Sequence, residues 1–163
     1  MSVAVYTDLS SHKQDAVQEA KLLVQKTLPV KPGIEENDIY AVFARASIEG
    51  ANFYPPVTNY SVGSSPLTWH PLIVLGCRLQ AYKYLETFWV EVPNLATAGV
   101  PYADRTQYMQ RWKTLYDQLE PTFRRAVAQI KQLHFPGNAI LVSTYQPDVL
   151  LRGMYEWPKY WRY

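Results

Sequence analysis

Apolar residues recur three and four positions apart in four separate stretches of the chain, and this spacing predicts four helices. In the first, Ala16, Val17, Ala20, Leu23, Val24 and Leu28 share one face. Ser11 and Gln14 stand at the spacing of a capping box at its start, and Pro29-Val30-Lys31-Pro32-Gly33 stops it. Glu36, Asn37 and Asp38 open a second helix with a buried stripe of Ile39, Val42, Phe43 and Ala46, which runs out near 50–52. The third follows Ser65-Pro66, or Thr68 as its cap, and continues to about Val92. Its apolar residues (Leu72, Ile73, Leu75, Leu79, Tyr82, Leu85, Phe88, Trp89) are too many for one narrow face, so it should be the central helix. The fourth begins around Asp104, with Gln107 fitting the N-terminal capping pattern, and places Tyr108, Trp112, Leu115, Leu119, Phe123, Ala126, Ile130 and Leu133 on one side. At about 30 residues it would be near 45 Å long. A compact chain of this size has a radius of gyration of only about 15 Å, so this helix should cross or overhang the whole domain, with Pro121 a place for it to bend.

Between helices the pattern breaks. Residues 53–65 hold Tyr54-Pro55-Pro56 and Gly63-Ser64-Ser65, which rules out a regular element. A loop of this length inside a compact domain is usually functional or bound to a partner. Its aromatics Phe53, Tyr54 and Tyr60 argue against a simple flexible linker. Residues 93–101 form another loop. Phe135-Pro136-Gly137-Asn138 ends the last helix, and 139–144 (Ala-Ile-Leu-Val-Ser-Thr) reads as a strand that needs an edge to pair with.

The last nine residues hold five large aromatics: Tyr155, Trp157, Tyr160, Trp161 and Tyr163. Together they present roughly 1,000 Å². That is comparable to the roughly 800 Å² one partner gives to a standard interface. Such a segment is expected to dock, on its own domain or on another chain. The reading is therefore mainly α: residues 1–134 a small helical bundle with an inserted loop at 53–65 and one long C-terminal helix, and 135–163 an extended aromatic docking arm capable of forming a strand.

Composition agrees with a molecule that buries surface against partners. Charged residues are 18% of the 163, below the roughly 25% of an average soluble protein. Aromatics are 14%, with 13 Tyr and 5 Trp, the types whose apolar bodies and polar tips suit interfaces. A net charge of +2 gives no case for nucleic-acid or membrane steering. The longest apolar run, 72–77, is far short of the ~20 residues of a membrane span, and no signal-type segment opens the chain, so neither a membrane span nor secretion is expected.

Catalytic chemistry finds little to build on. Cys77 is the only cysteine and reads as a small buried hydrophobe. His12, His70 and His134 fall in three elements with no metal-ligand spacing. Glu35, Glu36 and Asp38 sit where a helix N-terminus attracts carboxylates. Ser64 and Ser65 suggest a turn or cap. Arg111, Lys113, Arg124, Arg125 and Lys131 read as a solvated face interleaved with Asp117 and Glu120. No enzyme, metal or cofactor is expected.

The apolar helices 39–52 and 71–92, the long helix carrying Tyr108-Met109-Gln110-Arg111-Trp112-Lys113-Thr114-Leu115-Tyr116, and the trailing aromatic arm resemble the head–tail connector (adaptor) proteins of tailed bacteriophages. The likeness spans about residues 35–163 and is one of pattern, with Trp112 and Tyr116 four residues apart on the long helix. The N-terminal helix and its Pro-Gly exit fall outside it. The resemblance implies a structural virion protein, assembled in the host cytoplasm and placed at the neck. It would form a homo-oligomeric ring, commonly of twelve copies, below the portal protein. The ring would extend the channel through which DNA passes unread and would dock the next neck or tail protein. Candidate interface residues are Tyr155, Trp157, Tyr160, Trp161 and Tyr163, with Ile140 and Val142 for strand addition and Tyr54 and Tyr60 in the long loop.

Two alternatives stay open. One is another virion part, a tail-completion or terminator protein, for which more strand would be expected. The other is a soluble helical domain that binds a partner or small apolar ligand, with Tyr82, Tyr84, Phe88 and Trp89 lining its pocket.

Overall fold

The computed structural model describes residues 5–91 and 102–135. Among these are four α-helices and no strand: α1 (Ser11–Val24), α2 (Glu36–Asn52), α3 (His70–Glu91) and α4 (Tyr102–His134). Short 3-10 turns precede α1 (Val5–Asp8) and α3 (Leu67–Trp69). The fold is mainly helical, with a long C-terminal helix. The arm, its expected strand at 139–144 and the loop at 93–101 lie outside the described residues.

The start of α1 is built differently from the expected capping box. Ser10, not Ser11, is the N-cap, and its side chain makes no capping bond. Gln14 instead reaches back to donate to the carbonyls of Leu9 (3.0 Å) and Tyr6 (3.3 Å), tying the preceding turn to the helix. Ala16, Val17, Ala20, Val24 and Leu28 are buried as the spacing predicts, but Leu23 is exposed. The helix also stops before the prolines. Gln25 turns left-handed (φ 54°), and its N–H bonds to the Lys21 carbonyl, a closure that needs no proline.

The acidic cluster at the start of α2 is structural. Glu36 accepts from the Leu28 N–H (2.8 Å) and pairs with Lys21 (3.2 Å). Asp38 accepts from the Tyr6 N–H (2.9 Å). Its expected stripe is rotated. Phe43 is buried, but Ile39, Val42 and Ala46 are only half-buried, and the core line is Tyr40, Ala41, Ala44, Ser47, Ile48 and Ala51. Small residues dominate that line because α3 comes close there. A Cβ added to Gly76 would lie 2.2 Å from Ser47 Oγ.

As expected, α3 is the central element, packed against α1, α2 and α4. Leu72, Ile73, Val74, Cys77, Leu79, Ala81, Tyr82 and Leu85 are buried along it. Cys77 Sγ lies against the Tyr40 carbonyl (3.8 Å), and burial pushes its thiol pKa up.

At 33 residues α4 is about 50 Å long and continues through Pro121 as one helix. Trp112, Phe123, Val127 and Lys131 face the core. The expected face holds in part: Leu115, Leu119, Ala126 and Ile130 are half-buried, whereas Leu133 is 81% exposed. Two contacts fix α3 and α4 as antiparallel neighbours. Thr68 Oγ1, before α3, meets His134 Nε2 at the end of α4 (2.6 Å), and Trp89 stacks on Tyr108 near its start (5.2 Å, 19°). The ends marked by these contacts lie about 40 Å apart.

Candidate docking surfaces

At the end of the bundle where α4 finishes, the segment 53–65 is held by three devices. The Asn52 side chain accepts from Thr58 Oγ1 (2.8 Å) and the Tyr60 N–H (3.1 Å), and donates to the Tyr60 carbonyl (2.7 Å). Ser61 and Ser64 close a turn, with Ser61 N–H donating to Ser64 Oγ (2.9 Å) and Ser64 N–H to Ser61 Oγ (3.2 Å). Ser64 thus serves a turn, as its sequence context predicts, and Ser65 Oγ donates to the Val62 carbonyl (3.4 Å). From α4, Lys131 Nζ donates to the carbonyls of Asn52 (3.2 Å), Tyr54 and Pro56 (2.9 Å).

This arrangement sorts the side chains of the loop. Tyr54 and Tyr60 turn inward and are half-buried against the core, Tyr60 edge-on to Trp69 (4.9 Å, 77°). Burial pushes the Tyr54 hydroxyl pKa up. Phe53 (72% exposed) and Val57 (76%) turn outward. Leu67, beside the turn that meets His134, and Leu133 are exposed at the same end. Of the interface residues named from sequence, Tyr54 and Tyr60 are thus engaged with their own domain, while Phe53 and Val57 carry the loop's free apolar surface. Tyr155, Trp157, Tyr160, Trp161, Tyr163, Ile140 and Val142 lie outside the described residues, which end at Phe135.

The opposite end carries a second apolar region. Lys26, Thr27, Leu28, Pro29, Leu85, Phe88 and Trp89 line an open groove of about 320 Å³. Two of the four aromatics expected to line a pocket are present there. Tyr82 packs instead on Trp112 (5.7 Å), and the Tyr84 hydroxyl donates to the Pro29 carbonyl (2.6 Å). Leu22, Leu23, Val30 and Ile34, on α1 and the following connection, and Val90, on α3 beside Trp89, are exposed.

Of the basic residues of α4, Arg111, Lys113 and Arg125 are exposed and Arg124 pairs with Glu120, as the solvated-face reading expects, whereas Lys131 is buried. The Arg111 guanidinium lies over Trp112 (5.9 Å). The sequence did contain a signal for Lys131: it follows Phe123 and Val127 at steps of four along the buried stripe. A second lysine, Lys13, is 1% exposed, and its ammonium finds no hydrogen-bond partner among the described residues. Burial lowers its pKa.

Two of the histidines come together. His70 Nε2 pairs with Glu19 (3.0 Å), and its Nδ1 faces the His12 carbonyl (3.2 Å). Burial, followed by the positive charges of Lys13 and His70, lowers the pKa of His12. Among the described residues no group of three or more His, Cys, Asp or Glu side chains could hold a metal ion, and no helix is long and apolar enough to cross a membrane. No known protein family, curated protein or solved structure matches this chain.

Proposed function

We propose that this chain is a structural assembly subunit, a head–tail connector of a tailed-phage virion. In this role copies associate as a ring below the portal, extend the DNA channel and present a platform to the next neck or tail protein. The observation that carries the reading is the pairing of two dissimilar apolar ends, about 40 Å apart along α3 and α4; the sequence continues past one of them into the aromatic-rich residues 136–163. A ring uses head-to-tail interfaces, so each copy needs two different complementary surfaces. Phe53, Val57, Leu67 and Leu133 offer one, the groove at Phe88 and Trp89 offers another, and the arm supplies anchors of the type that dominates hot spots. DNA passing a lumen needs no base readout, which fits a net charge of only +2.

The test is the double substitution Trp157→Ala and Trp161→Ala. Association of copies, followed by sedimentation, is expected to be lost while the helical circular dichroism stays unchanged. Loss of the helical signal would instead assign both tryptophans to the core and remove the argument.

A second reading, a domain binding a small apolar ligand, would use this groove, which is open to solvent where small-molecule sites enclose most of their ligand. A ligand co-purifying with a stable monomer, and released by Trp89→Ala, would support it over the first.

A further inference from the structure

Lys131 is 1% exposed, and its ammonium donates three hydrogen bonds to main-chain carbonyls: Asn52 (3.2 Å), Pro56 (2.9 Å) and Tyr54. An ammonium has three donors, so each is used. The three acceptors come from five consecutive residues that lie 75 to 79 positions away in sequence. Carbonyl oxygens turned toward one point repel each other unless a positive charge sits among them, as in loops that wrap a cation. The Asn52 carbonyl also accepts the Thr58 N–H (3.1 Å), so the next turn hangs on the same atom. The Asn52 side chain then fixes Thr58 and Tyr60.

We propose that Lys131 is the built-in cation of a carbonyl cage that locks residues 52–60 to the end of α4, making the loop and the last turn of that helix one rigid unit. The cage is a site for a primary ammonium, filled by a side chain of the same protein. It follows that Phe53 and Val57 hold their outward positions without any partner. This inference does not depend on the assembly reading, and it is tested on the free chain.

Amide hydrogen exchange of the full-length protein is the experiment. Lys131→Met, which keeps a stem of similar length without the charge, is expected to speed exchange at Thr58 and Tyr60 by about tenfold or more, the equivalent of one charged hydrogen bond. The amides of Val17 and Ile73 should stay protected. In Lys131→Ala, n-butylammonium should slow Thr58 exchange again and n-butanol should not. Unchanged Thr58 exchange in the methionine variant overturns the proposal, and so does acceleration spread equally over Val17 and Ile73. Equal rescue by butanol also overturns it, because packing of the stem would then suffice. If neither variant folds, the wild-type protein decides by its Lys131 ammonium signal in nuclear magnetic resonance. Couplings from that nitrogen to the carbonyl carbons of residues 52, 54 and 56 are expected, and their absence contradicts the cage.

Discussion

Ser47 on α2 and Gly76 on α3 meet so closely that a Cβ on Gly76 would lie 2.2 Å from Ser47 Oγ and 2.4 Å from Ser47 Cβ. Ser47 Oγ is itself committed, donating to the Phe43 carbonyl (2.6 Å) inside its own helix. Gly76 therefore stands in the middle of a helix for a packing reason, although glycine there costs helix stability. Gly76→Ala should lower stability by about 1–3 kcal/mol despite the better helix propensity. Ser47→Gly in the same chain should recover part of that loss. Chemical unfolding of the two single variants and the double variant measures the coupling.

Lys13 gives a prediction of the opposite sign. Its ammonium is buried without a hydrogen-bond partner among the described residues, so the folded state bears the desolvation of a charge and gets little back. Lys13→Met keeps the volume and removes the charge. Stability should rise by about 1–3 kcal/mol, read as a higher urea midpoint with an unchanged slope.

Lys13 also sets a pH dependence. Burial lowers its pKa below the 10.5 of an ordinary lysine. Between the lowered value and 10.5 the unfolded chain binds more protons than the folded one, so unfolding free energy rises with pH. The destabilising contribution is complete below the lowered value and is relieved as pH climbs toward 10.5. Wild-type urea midpoints should therefore increase as pH rises into that window, and Lys13→Met should flatten the increase.

Phe53 and Val57 are largely exposed, so changing them should leave the fold alone. Phe53→Ser with Val57→Ser is expected to move unfolding free energy by less than about 0.5 kcal/mol per site. Association of copies should weaken by tenfold or more if this face lies inside the interface. Sedimentation across a concentration series, paired with thermal melts, separates the two effects.

The helices were legible because apolar spacing marks them wherever a long face meets the core. The start of α1, the extent of α2, the central place of α3 and the length of α4 all follow from it. Which face of α2 is buried was not legible. Ala41, Ala44 and Ser47 are buried because small side chains let α3 approach, and hydrophobicity alone ranks Ile39 and Val42 above them. Leu23 and Leu133 fit an apolar stripe in sequence but are exposed, with no other element among the described residues covering them. Lys131 carries a positional signal, four residues after Val127 on the buried stripe, but a lysine among arginines reads as surface until the carbonyls of a distant loop are seen around it. In the candidate surface the loop was legible as ordered and aromatic, but not its inside and outside. Tyr54 and Tyr60 pack inward because each joins the core, which leaves Phe53 and Val57 facing out.

The proposed assembly through residues 135–163 is tested most directly by the particle mass and shape of the full chain and of a truncation ending at His134, using light scattering and negative-stain microscopy. Rings are expected from the full chain and a folded helical monomer from the truncated one. Monomers from both at every concentration, or a truncated chain that no longer folds, would contradict it.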